Sequence, residues 1–447
     1  MGMDGFVGRN DDLEYLENLY RAAPQSCAIY GRKRLGKTAL MQKFCEYKRH
    51  IYISGSVGLK SECLRSIEEA VGRFTGEKES IEDIEDLFGR LKKICARRTV
   101  VIFDNYSWLL ELFPEMYGAV SRFLSRDMKN TRIFFIACDT DSTVFGRIAN
   151  LREIRPMSYL ECTGFHPGYT VLQHLQAYAM VGGTPAYHRL LEGKPEDAVR
   201  NQFLGGMSVF SLEAEFNVNS QASDREACIR ILYAMASGAE TLKDIVAASG
   251  LNSGQCQKAI EDMENKGLVF REHSDFDSRN WVCGFGSNIL RFYYTVVAKC
   301  RMGDDFFSED KAFVGVAKEM DPYLSGIFKS ISREYIRIHY DCNFVGKIRS
   351  GSSAPEVEYV AVARDADGKK ITVCSSSRYC GEPMDVRDLK RLQNGSKKLK
   401  ISSPPLYLMF SGCGFGGDLR EAAESRDDIV LLTLDDMYAP LESGGRI

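Results

Sequence analysis

One short segment, residues 31 to 38, reads Gly31-Arg32-Lys33-Arg34-Leu35-Gly36-Lys37-Thr38. An apolar run precedes it at Cys27 to Tyr30, and Thr38 to Tyr47 has the spacing of a helix. Glycines at both ends of the segment let the backbone turn consecutive N–H groups toward an anion at the start of that helix. The pattern G-x-x-x-x-G-K-T is that of a phosphate-binding loop.

Each fixed position of this loop has a chemical role. Gly31 and Gly36 permit close backbone approach, Lys37 offers a charge to the β- and γ-phosphates of a nucleotide, and Thr38 offers a hydroxyl to Mg²⁺. The alternative is a glycine-rich turn that binds nothing. We expect ATP and Mg²⁺ as ligands, bound by Gly31, Arg32, Lys33, Arg34, Leu35, Gly36, Lys37 and Thr38.

A second element supports this prediction. The apolar run Thr99 to Phe103 ends in Asp104, a carboxylate that can hold Mg²⁺ together with Thr38, although a plain strand-end turn residue is the alternative. In P-loop enzymes that hydrolyse ATP the next residue is usually Glu, but here it is Asn105. An amide cannot take a proton from water, so we expect hydrolysis to be slow or absent. Three acids are left as substitutes: Glu111, Asp139 and Asp141.

Elsewhere the first 160 residues alternate strand-like runs with amphipathic helices, which predicts a parallel sheet covered by helices, an α/β fold. The predicted strands are Cys27 to Tyr30, Ile51 to Ile53, Thr99 to Phe103 and Arg132 to Ala137. Residues 160 to 220 have a helical pattern that is interrupted at Gly182-Gly183-Thr184-Pro185.

The remainder predicts two further modules. Three helices and a hairpin typical of a winged helix are predicted at Glu226 to Ala236, Leu242 to Ser249, Ser253 to Lys266 and Leu268 to Cys283. After a helical stretch, residues 350 to 438 return to strands, and these are predicted at Val357 to Ala363, Lys370 to Cys374, Leu406 to Phe410 and Ile429 to Leu434.

Taken together, several motifs resemble those of the archaeal-type P-loop ATPases of the AAA+/STAND group. They are Phe6-Val7-Gly8-Arg9 followed by Leu13, the loop at 30 to 38, Asp104, and residues 178 to 187, which include Gly182-Gly183-Thr184-Pro185. The resemblance implies a P-loop core at residues 1–160, a helical lid at 161–222, a winged helix at 223–300, a helical connector at 301–345 and a nuclease-like α/β domain at 346–447.

The resemblance also implies roles for matching residues. Phe6, Val7 and Arg9 would lie near the adenine and ribose, and Pro185 would lie beside the nucleotide at the lid. Arg147, in Phe145-Gly146-Arg147, matches an arginine that senses the γ-phosphate, although by itself it is typical of a solvated surface position. One departure, Cys138-Asp139-Thr140, replaces the small polar end of a strand and further weakens the expectation of turnover.

Members of that group carry a fold similar to PD-(D/E)XK nucleases at the C-terminus, with an acid on one strand and Glu-x-Lys on the next. Here the first position falls at Glu356 or Glu358 and the second at Ser376-Ser377-Arg378. The second metal-binding glutamate is missing, so we expect no cleavage and expect Glu356 and Glu358 to be ordinary exposed strand residues.

Two segments bear on nucleic-acid binding. The third helix of the predicted winged helix, Ser253 to Lys266, carries Lys258 and Lys266 but also three acids, which disfavours phosphate contact and favours packing or protein contact. The basic stretch Arg387 to Lys400 either contacts a phosphate backbone or is a solvated helix and turn.

A rival nucleotide motif lies near the C-terminus. Gly412-Cys413-Gly414-Phe415-Gly416-Gly417 fits G-x-G-x-x-G, and Asp435 stands where a ribose-binding acid would be. Too few strands follow to complete a dinucleotide fold, so an ordinary glycine turn is the stronger interpretation.

Composition sets outer limits. The chain has 447 residues, 44% hydrophobic and 27% charged, with a net charge of −3, which is typical of a multidomain globular protein without an overall basic surface. The 14 cysteines are scattered without zinc-site spacing, and no apolar run is long enough to cross a membrane. We therefore expect a cytoplasmic ATP-dependent switch. Its partner is left open between DNA and a protein, and a nucleotide-dependent oligomer is a further alternative. Its rivals are an active ATPase coupled to DNA processing and a DNA-binding regulator.

Overall fold

The computed structural model describes residues 5–205, 208–221, 223–274, 277–301, 308–348, 356–364, 368–399, 401 and 403–440. The chain divides into two compact units. Unit 1 consists of Met1–Met157 and Gly183–Leu190, and unit 2 consists of Ser158–Gly182 and Leu191–Ile447.

Unit 1 contains the predicted parallel sheet. Its strands are β1 (Gln25–Tyr30), β2 (His50–Ser54), β3 (Thr99–Asp104), β4 (Ile133–Asp139) and β5 (Leu151–Glu153). Among the described residues they lie in the order β2–β3–β4–β1–β5, and every neighbouring pair runs parallel. The predicted strands are confirmed as β1 to β4, whereas the short edge strand β5 was not predicted.

Helices cover both faces of this sheet. In chain order they are α1 (Asn10–Arg21), α2 (Lys37–Cys45), α3 (Lys60–Thr75), α4 (Ile84–Ile94), α5 (Tyr106–Leu112) and α6 (Met116–Arg122), and the chain later returns to unit 1 as α9 (Pro185–Leu190). The buried strand β3 illustrates the two layers, because Val101 and Phe103 enter one core while Val100 and Ile102 enter the other.

This topology positions a site at one edge. In a parallel sheet all carboxyl ends open on the same side, where ligands bind beside a change in strand order. The predicted loop at 31 to 38 connects β1 to α2 at that edge, and β3 ends there at Asp104. Unit 1 thus has the α/β fold of a P-loop ATPase.

Unit 2 begins with helices. They are α7 (Tyr159–Cys162), α8 (Val171–Val181), α10 (Pro195–Ala198), α11 (Val209–Gln221), α12 (Arg225–Ala236), α13 (Leu242–Ser249), α14 (Ser253–Asn265), α15 (Asn288–Phe292), α16 (Ala298–Arg301) and α17 (Glu309–His339). The predicted break is confirmed, because α8 ends just before Gly182 and α9 begins at Pro185.

The predicted three helices and hairpin are also present as elements. Helices α12, α13 and α14 are followed by the antiparallel pair β6 (Val269–Ser274) and β7 (Asp277–Phe285). Residues 275 and 276, at the tip of the predicted hairpin, lie outside the described residues.

A mixed sheet occupies the last part of unit 2. It contains β8 (Asp341–Lys347), β9 (Tyr359–Arg364), β10 (Lys370–Arg378), β11 (Pro405–Ser411) and β12 (Ile429–Thr433), with α18 (Val386–Lys398), α19 (Gly417–Glu424) and α20 (Leu434–Met437). Within the described residues the order is β12–β11–β10–β9–β8, parallel from β10 to β12 and antiparallel elsewhere. Strand β8 was not predicted, because its polar start and its glycine give no alternating apolar pattern.

None of the helices in the described ranges combines the length and apolar character that crossing a membrane requires.

Candidate functional site: the phosphate loop of unit 1

The two glycines of the loop are required by its geometry. Gly31 has a φ of 151°, and a Cβ at this position would lie 2.4 Å from the carbonyl oxygen of Ile154. Gly36 has a φ of 87° and is the N-cap of α2. A residue with a side chain would be strained at both places, so the loop depends on glycine.

Lys37 is held inside the loop. Its Nζ donates to the carbonyl oxygens of Gly31 at 2.6 Å and Arg32 at 3.1 Å. Burial lowers the pKa of Lys37, and the nearby Asp104 carboxylate opposes that shift. The ammonium group is therefore held against the backbone of the loop that the sequence predicts to bind phosphates.

The remaining side chains of the loop differ in their surroundings. Leu35 is buried in the core on the α2 side of the sheet. The Arg34 guanidinium lies 5.5 Å from the centre of the Tyr187 ring, and burial lowers the pKa of Arg32. Lys33 is exposed.

Thr38 and Asp104 meet, as the prediction of a shared metal site requires. The Thr38 hydroxyl donates to Asp104 Oδ2 at 2.8 Å, and Asp104 is only 3% exposed. The other carboxylate oxygen accepts from the backbone N–H of Asn105 at 2.9 Å. A hydroxyl and a carboxylate at the start of α2 and the end of β3 are the hard oxygen ligands that Mg²⁺ prefers.

Tyr52 is a site residue that the sequence did not indicate. Its hydroxyl also donates to Asp104 Oδ2, and burial together with the Asp104 charge raises the pKa of Tyr52. The alternation of Ile51 and Ile53 with Tyr52 indicates that Tyr52 faces the other side of β2, but no local pattern identifies its partner on β3.

The side chain of Asn105 is hydrogen-bonded to the neighbouring strand. It has a φ of 51° and is the N-cap residue of α5. The side-chain Nδ2 donates to Ser54 Oγ at 3.2 Å and to the Gly55 carbonyl oxygen at 3.3 Å. The amide therefore ties the end of β3 to the end of β2, and it presents no carboxylate at the position of a general base.

Two of the three acids considered as substitutes have other roles, and the third is exposed. Asp139 is buried and accepts from the backbone N–H groups of Ser107 and Thr140, each at 2.6 Å. Asp141 accepts from the N–H of Thr143 at 2.8 Å, and Glu111 is exposed on α5. Asp139 and Asp141 thus stabilise turns at the ends of β4 and the following helical turn.

Arg9 contacts the loop directly. It is 8% exposed, and its guanidinium donates to the Leu35 carbonyl oxygen at 2.9 Å. An ion pair of 3.5 Å joins Arg9 to Asp12, which also binds Arg152 at 2.6 Å. Phe6 packs against the neighbouring core. The segment before α1 therefore supports the loop from one side.

Pro185 and Arg147 differ in their placement. Pro185 Cγ would be 3.8 Å from a Cβ at Gly36, so the start of α9 lies against the loop. Arg147 lies exposed in the turn after β4, and within the described residues it makes no hydrogen bond or ion pair. The structure brings Pro185 to the loop, but no contact links Arg147 to it.

The sequence interpretation of Glu358 was wrong. Glu358 is not exposed: it is 8% exposed, accepts from the Ser377 hydroxyl, and forms a 2.9 Å ion pair with Lys329 of α17. The cause is α17, a distant helix that covers the start of β9 and was not predicted to reach it. Glu356 precedes β9 and pairs with Lys398 at 2.6 Å.

The other residues that the sequence places at the predicted nuclease-like position also have partners. Arg378 binds Asp388 of α18 at 2.5 Å. Ser376 lies on β10 opposite Met409 of β11. These contacts join neighbouring elements of the sheet and its helices. The buried acid at this position, Glu358, is paired with Lys329.

The glycine motif at 412 to 417 is packed against protein. A Cβ on Gly412 would lie 2.3 Å from the Tyr379 carbonyl oxygen, and the Gly416 N–H donates to the Met384 carbonyl oxygen at 2.9 Å. The Ser411 hydroxyl donates to the Gly414 carbonyl oxygen at 2.7 Å. These glycines serve close backbone packing. Asp435 lies exposed in α20.

The acids of α14 are largely committed to neighbouring side chains. Asp262 pairs with Lys266 at 2.6 Å, and Glu264 pairs with Arg271 of β6. The exposed charges on the outer face of this helix are then Lys258 and Glu261, which nearly cancel.

Comparisons with known proteins gave the following results. No protein-family model matches the chain. An uncharacterized protein of Methanocaldococcus jannaschii is 21% identical over 350 residues, which are 74% of this chain and 77% of that protein. Among solved structures, the Walker-type ATPase of Pyrococcus abyssi has a TM-score of 0.48 and 14% identity, covering 65% of this chain and 96% of that chain.

A second relative is short and more similar. It is an uncharacterized ATP-binding protein of Methanocaldococcus jannaschii, 43% identical over 49 residues, which are 11% of this chain and 83% of that protein. By this identity and coverage, the chain belongs to the same family as that uncharacterized ATP-binding protein.

Proposed function

We propose that the chain binds ATP with Mg²⁺ at the loop of residues 31 to 38. One observation carries the proposal: the Thr38 hydroxyl lies 2.8 Å from the buried Asp104 carboxylate. Thr38 belongs to the loop and Asp104 to a different strand, so their meeting is unexpected for a glycine turn without a ligand. The name of the short relative, an ATP-binding protein, supports the same proposal.

The residues present fit the ligand. A side chain at position 31 would collide with the backbone of Ile154, so the loop conformation requires glycine there. Lys37 binds loop carbonyl oxygens, and a phosphate group could replace these oxygens as its partner. Thr38 and Asp104 would hold Mg²⁺, which would neutralise negative charge on the phosphates of a bound nucleotide. Arg9 and Pro185 would border the nucleotide, because one binds the Leu35 carbonyl and the other lies against Gly36.

We infer that hydrolysis is slow. A general base has to be a carboxylate or a similar group within reach of water. Asn105 uses its amide to join β2, and Asp139 accepts from two backbone N–H groups. Arg147 stays a proposed sensor of the γ-phosphate, and its exposed position, without a hydrogen bond or ion pair among the described residues, is compatible with that role.

A switch is the function that we propose from ATP binding with slow turnover. In this proposal ATP closes the lid around Pro185 and alters how a winged helix at 223–300 and a nuclease-like domain at 346–447 meet a partner. The proposed lid spans 161–222, and the proposed connector spans 301–345. Helices α12 to α14 with the hairpin β6–β7 support the winged helix. The Lys329–Glu358 pair supports a nuclease-like domain that does not cleave. Lys329 forms an ion pair with Glu358, the carboxylate that would otherwise bind a metal ion.

The setting of this switch is also a proposal. All 14 cysteines are free thiols, which supports a reducing compartment such as the cytoplasm. DNA or another protein is the proposed partner, and a nucleotide-dependent oligomer would bring Arg147 of one copy to the site of another.

Titration of labelled ATP in the presence of Mg²⁺ tests the binding proposal. Wild type should bind, Lys37→Ala should lose at least tenfold in affinity, and Lys93→Ala, which changes an exposed lysine of α4 outside the loop, should bind nearly as well as wild type. Equal affinity of wild type and Lys37→Ala would refute the proposed site.

A further inference from the structure

Helix α18 displays its positive charge on one face. Its exposed residues lie three and four positions apart, which places them within an arc of about 120° on a helix with 3.6 residues per turn. The opposite face, with Leu389 and Leu392, is buried against the sheet of unit 2. The exposed face, named here the α18 stripe, consists of Arg387, Lys390, Arg391, Asn394, Lys397 and Lys398.

Most of this charge is not neutralised. Arg387 pairs with Asp385, and Lys398 pairs with Glu356. Within the described residues, Lys390, Arg391 and Lys397 form no ion pair. Asp388, the acid inside the helix, is turned aside and bound by Arg378. Lys400, which ends the predicted basic stretch, lies outside the described residues.

The stripe lacks the features of a protein interface. Interfaces between proteins have aromatic or apolar anchors at their centre and are poor in lysine. Among the described residues, none of the large exposed apolar side chains lies on α18. A surface that offers only cations and one amide can gain free energy from a partner that carries a regular row of negative charge.

We propose that the α18 stripe binds the phosphate backbone of a duplex nucleic acid. The stripe runs over about 16 Å at a rise of about 1.5 Å per residue, enough to follow a few consecutive phosphates. Lysine and arginine neutralise phosphates and release counterions, and the Asn394 amide donates a hydrogen bond to a phosphate oxygen. Bases are not contacted, so binding is independent of sequence. This inference does not depend on ATP binding at unit 1.

Fluorescence anisotropy with labelled DNA and RNA duplexes of about 20 base pairs, without nucleotide, tests this surface in the full chain. Affinity should fall with salt, and the triple variant Lys390→Glu, Arg391→Glu, Lys397→Glu should bind at least tenfold more weakly at low salt. The slope of log affinity against log salt should become shallower by about 3, since each phosphate contact contributes about −0.9. The DNA and RNA arms decide which duplex is preferred.

The control reverses three exposed cations of unit 1, Arg65, Lys93 and Arg97, which form no ion pair within the described residues. It carries the same change in net charge and should keep most of the affinity. Circular dichroism and ATP titration show whether either variant is misfolded. An absence of duplex binding, an equal loss in both triple variants, or binding to poly-glutamate as strong as to duplex would each overturn the proposal.

Discussion

Asn105 has a backbone that suits its own side chain. A φ of 51° lies in the left-handed region, where asparagine is tolerated and most residues cost about 1 kcal/mol or more. Its amide donates hydrogen bonds to the Ser54 hydroxyl and the Gly55 carbonyl oxygen. A carboxylate has no proton to donate, so it could not bind that carbonyl oxygen. The residue that removes the expected base therefore also stabilises the edge between β2 and β3.

Replacement of Asn105 by glutamate should restore a base. We expect Asn105→Glu to raise steady-state phosphate release at least tenfold, since positioned general bases contribute about 100-fold or more. The same change should lower the free energy of unfolding by about 1 kcal/mol. Asn105→Gln is the control, because it has a similar size and backbone cost without a carboxylate. Identical release by the two variants would show that position 105 does not limit turnover.

Tyr52 shares its Asp104 oxygen with Thr38. Loss of a hydrogen bond to a buried charged group costs about 1.5–3 kcal/mol. We expect Tyr52→Phe to lower the free energy of unfolding by about 2 kcal/mol in urea denaturation, while ATP binding persists because Thr38 and Asp104 remain. Tyr47→Phe, at a tyrosine that is 91% exposed, should change stability very little. An unchanged Tyr52→Phe denaturation curve would mean that this contact adds nothing.

At the scale of elements, helix α17 carries a carboxyl group that responds to pH. Burial raises the pKa of Glu334 to about 7, against the opposing effect of the Tyr178 hydroxyl, which donates to it at 3.1 Å. In the unfolded chain this group ionises near its ordinary value of about 4.3. The folded state therefore holds its proton longer, and the stability that this contributes is full below about pH 4 and is lost as pH rises to about 7.

Glu334→Gln should remove this pH dependence. The variant keeps the shape of the side chain without a titrating proton, so its urea midpoint should fall less than that of wild type between about pH 4.5 and 7.5. The difference should reach about 3 kcal/mol, since the pKa rises by about 2.7 units, one unit is worth about 1.4 kcal/mol, and most of the change falls within this pH range. Parallel stability curves for the two proteins over this range would contradict the raised pKa.

The contact between α17 and β9 can be tested in the same way. Within the described part of the chain, Lys329→Met leaves the buried Glu358 carboxylate with only the Ser377 hydroxyl as a partner. We expect a loss of about 1–2 kcal/mol because the lysine is half exposed. The double variant Lys329→Met, Glu358→Gln should recover most of that loss in urea denaturation. Lys390→Met, at an exposed lysine, is the control and should have almost no effect. A double variant less stable than Lys329→Met would argue against an unpaired buried charge as the cause.

At the scale of the whole molecule, local patterns predicted what is local. The strands β1 to β4 and the helices α12 to α14 follow from apolar spacing, and the loop follows from its fixed glycines and Lys37. Long-range contacts could not be predicted in this way. The Tyr52 hydroxyl binds Asp104, which is 52 positions away in the sequence, and Lys329 of α17 forms an ion pair with Glu358. In each case the partner is chosen by packing, so the sequence around one residue contains no sign of the other.

The central claim is that the molecule holds ATP with Mg²⁺ and turns it over slowly. Protein incubated with γ-labelled ATP and Mg²⁺ can be freed of unbound nucleotide and its bound nucleotide measured over time. We expect wild type to retain ATP with its label long after an ordinary ATPase, turning over about 10 times per second, would have released it. Lys37→Ala should retain none. Rapid conversion of the bound nucleotide to ADP by wild type, or retention equal to that of Lys37→Ala, would contradict the claim.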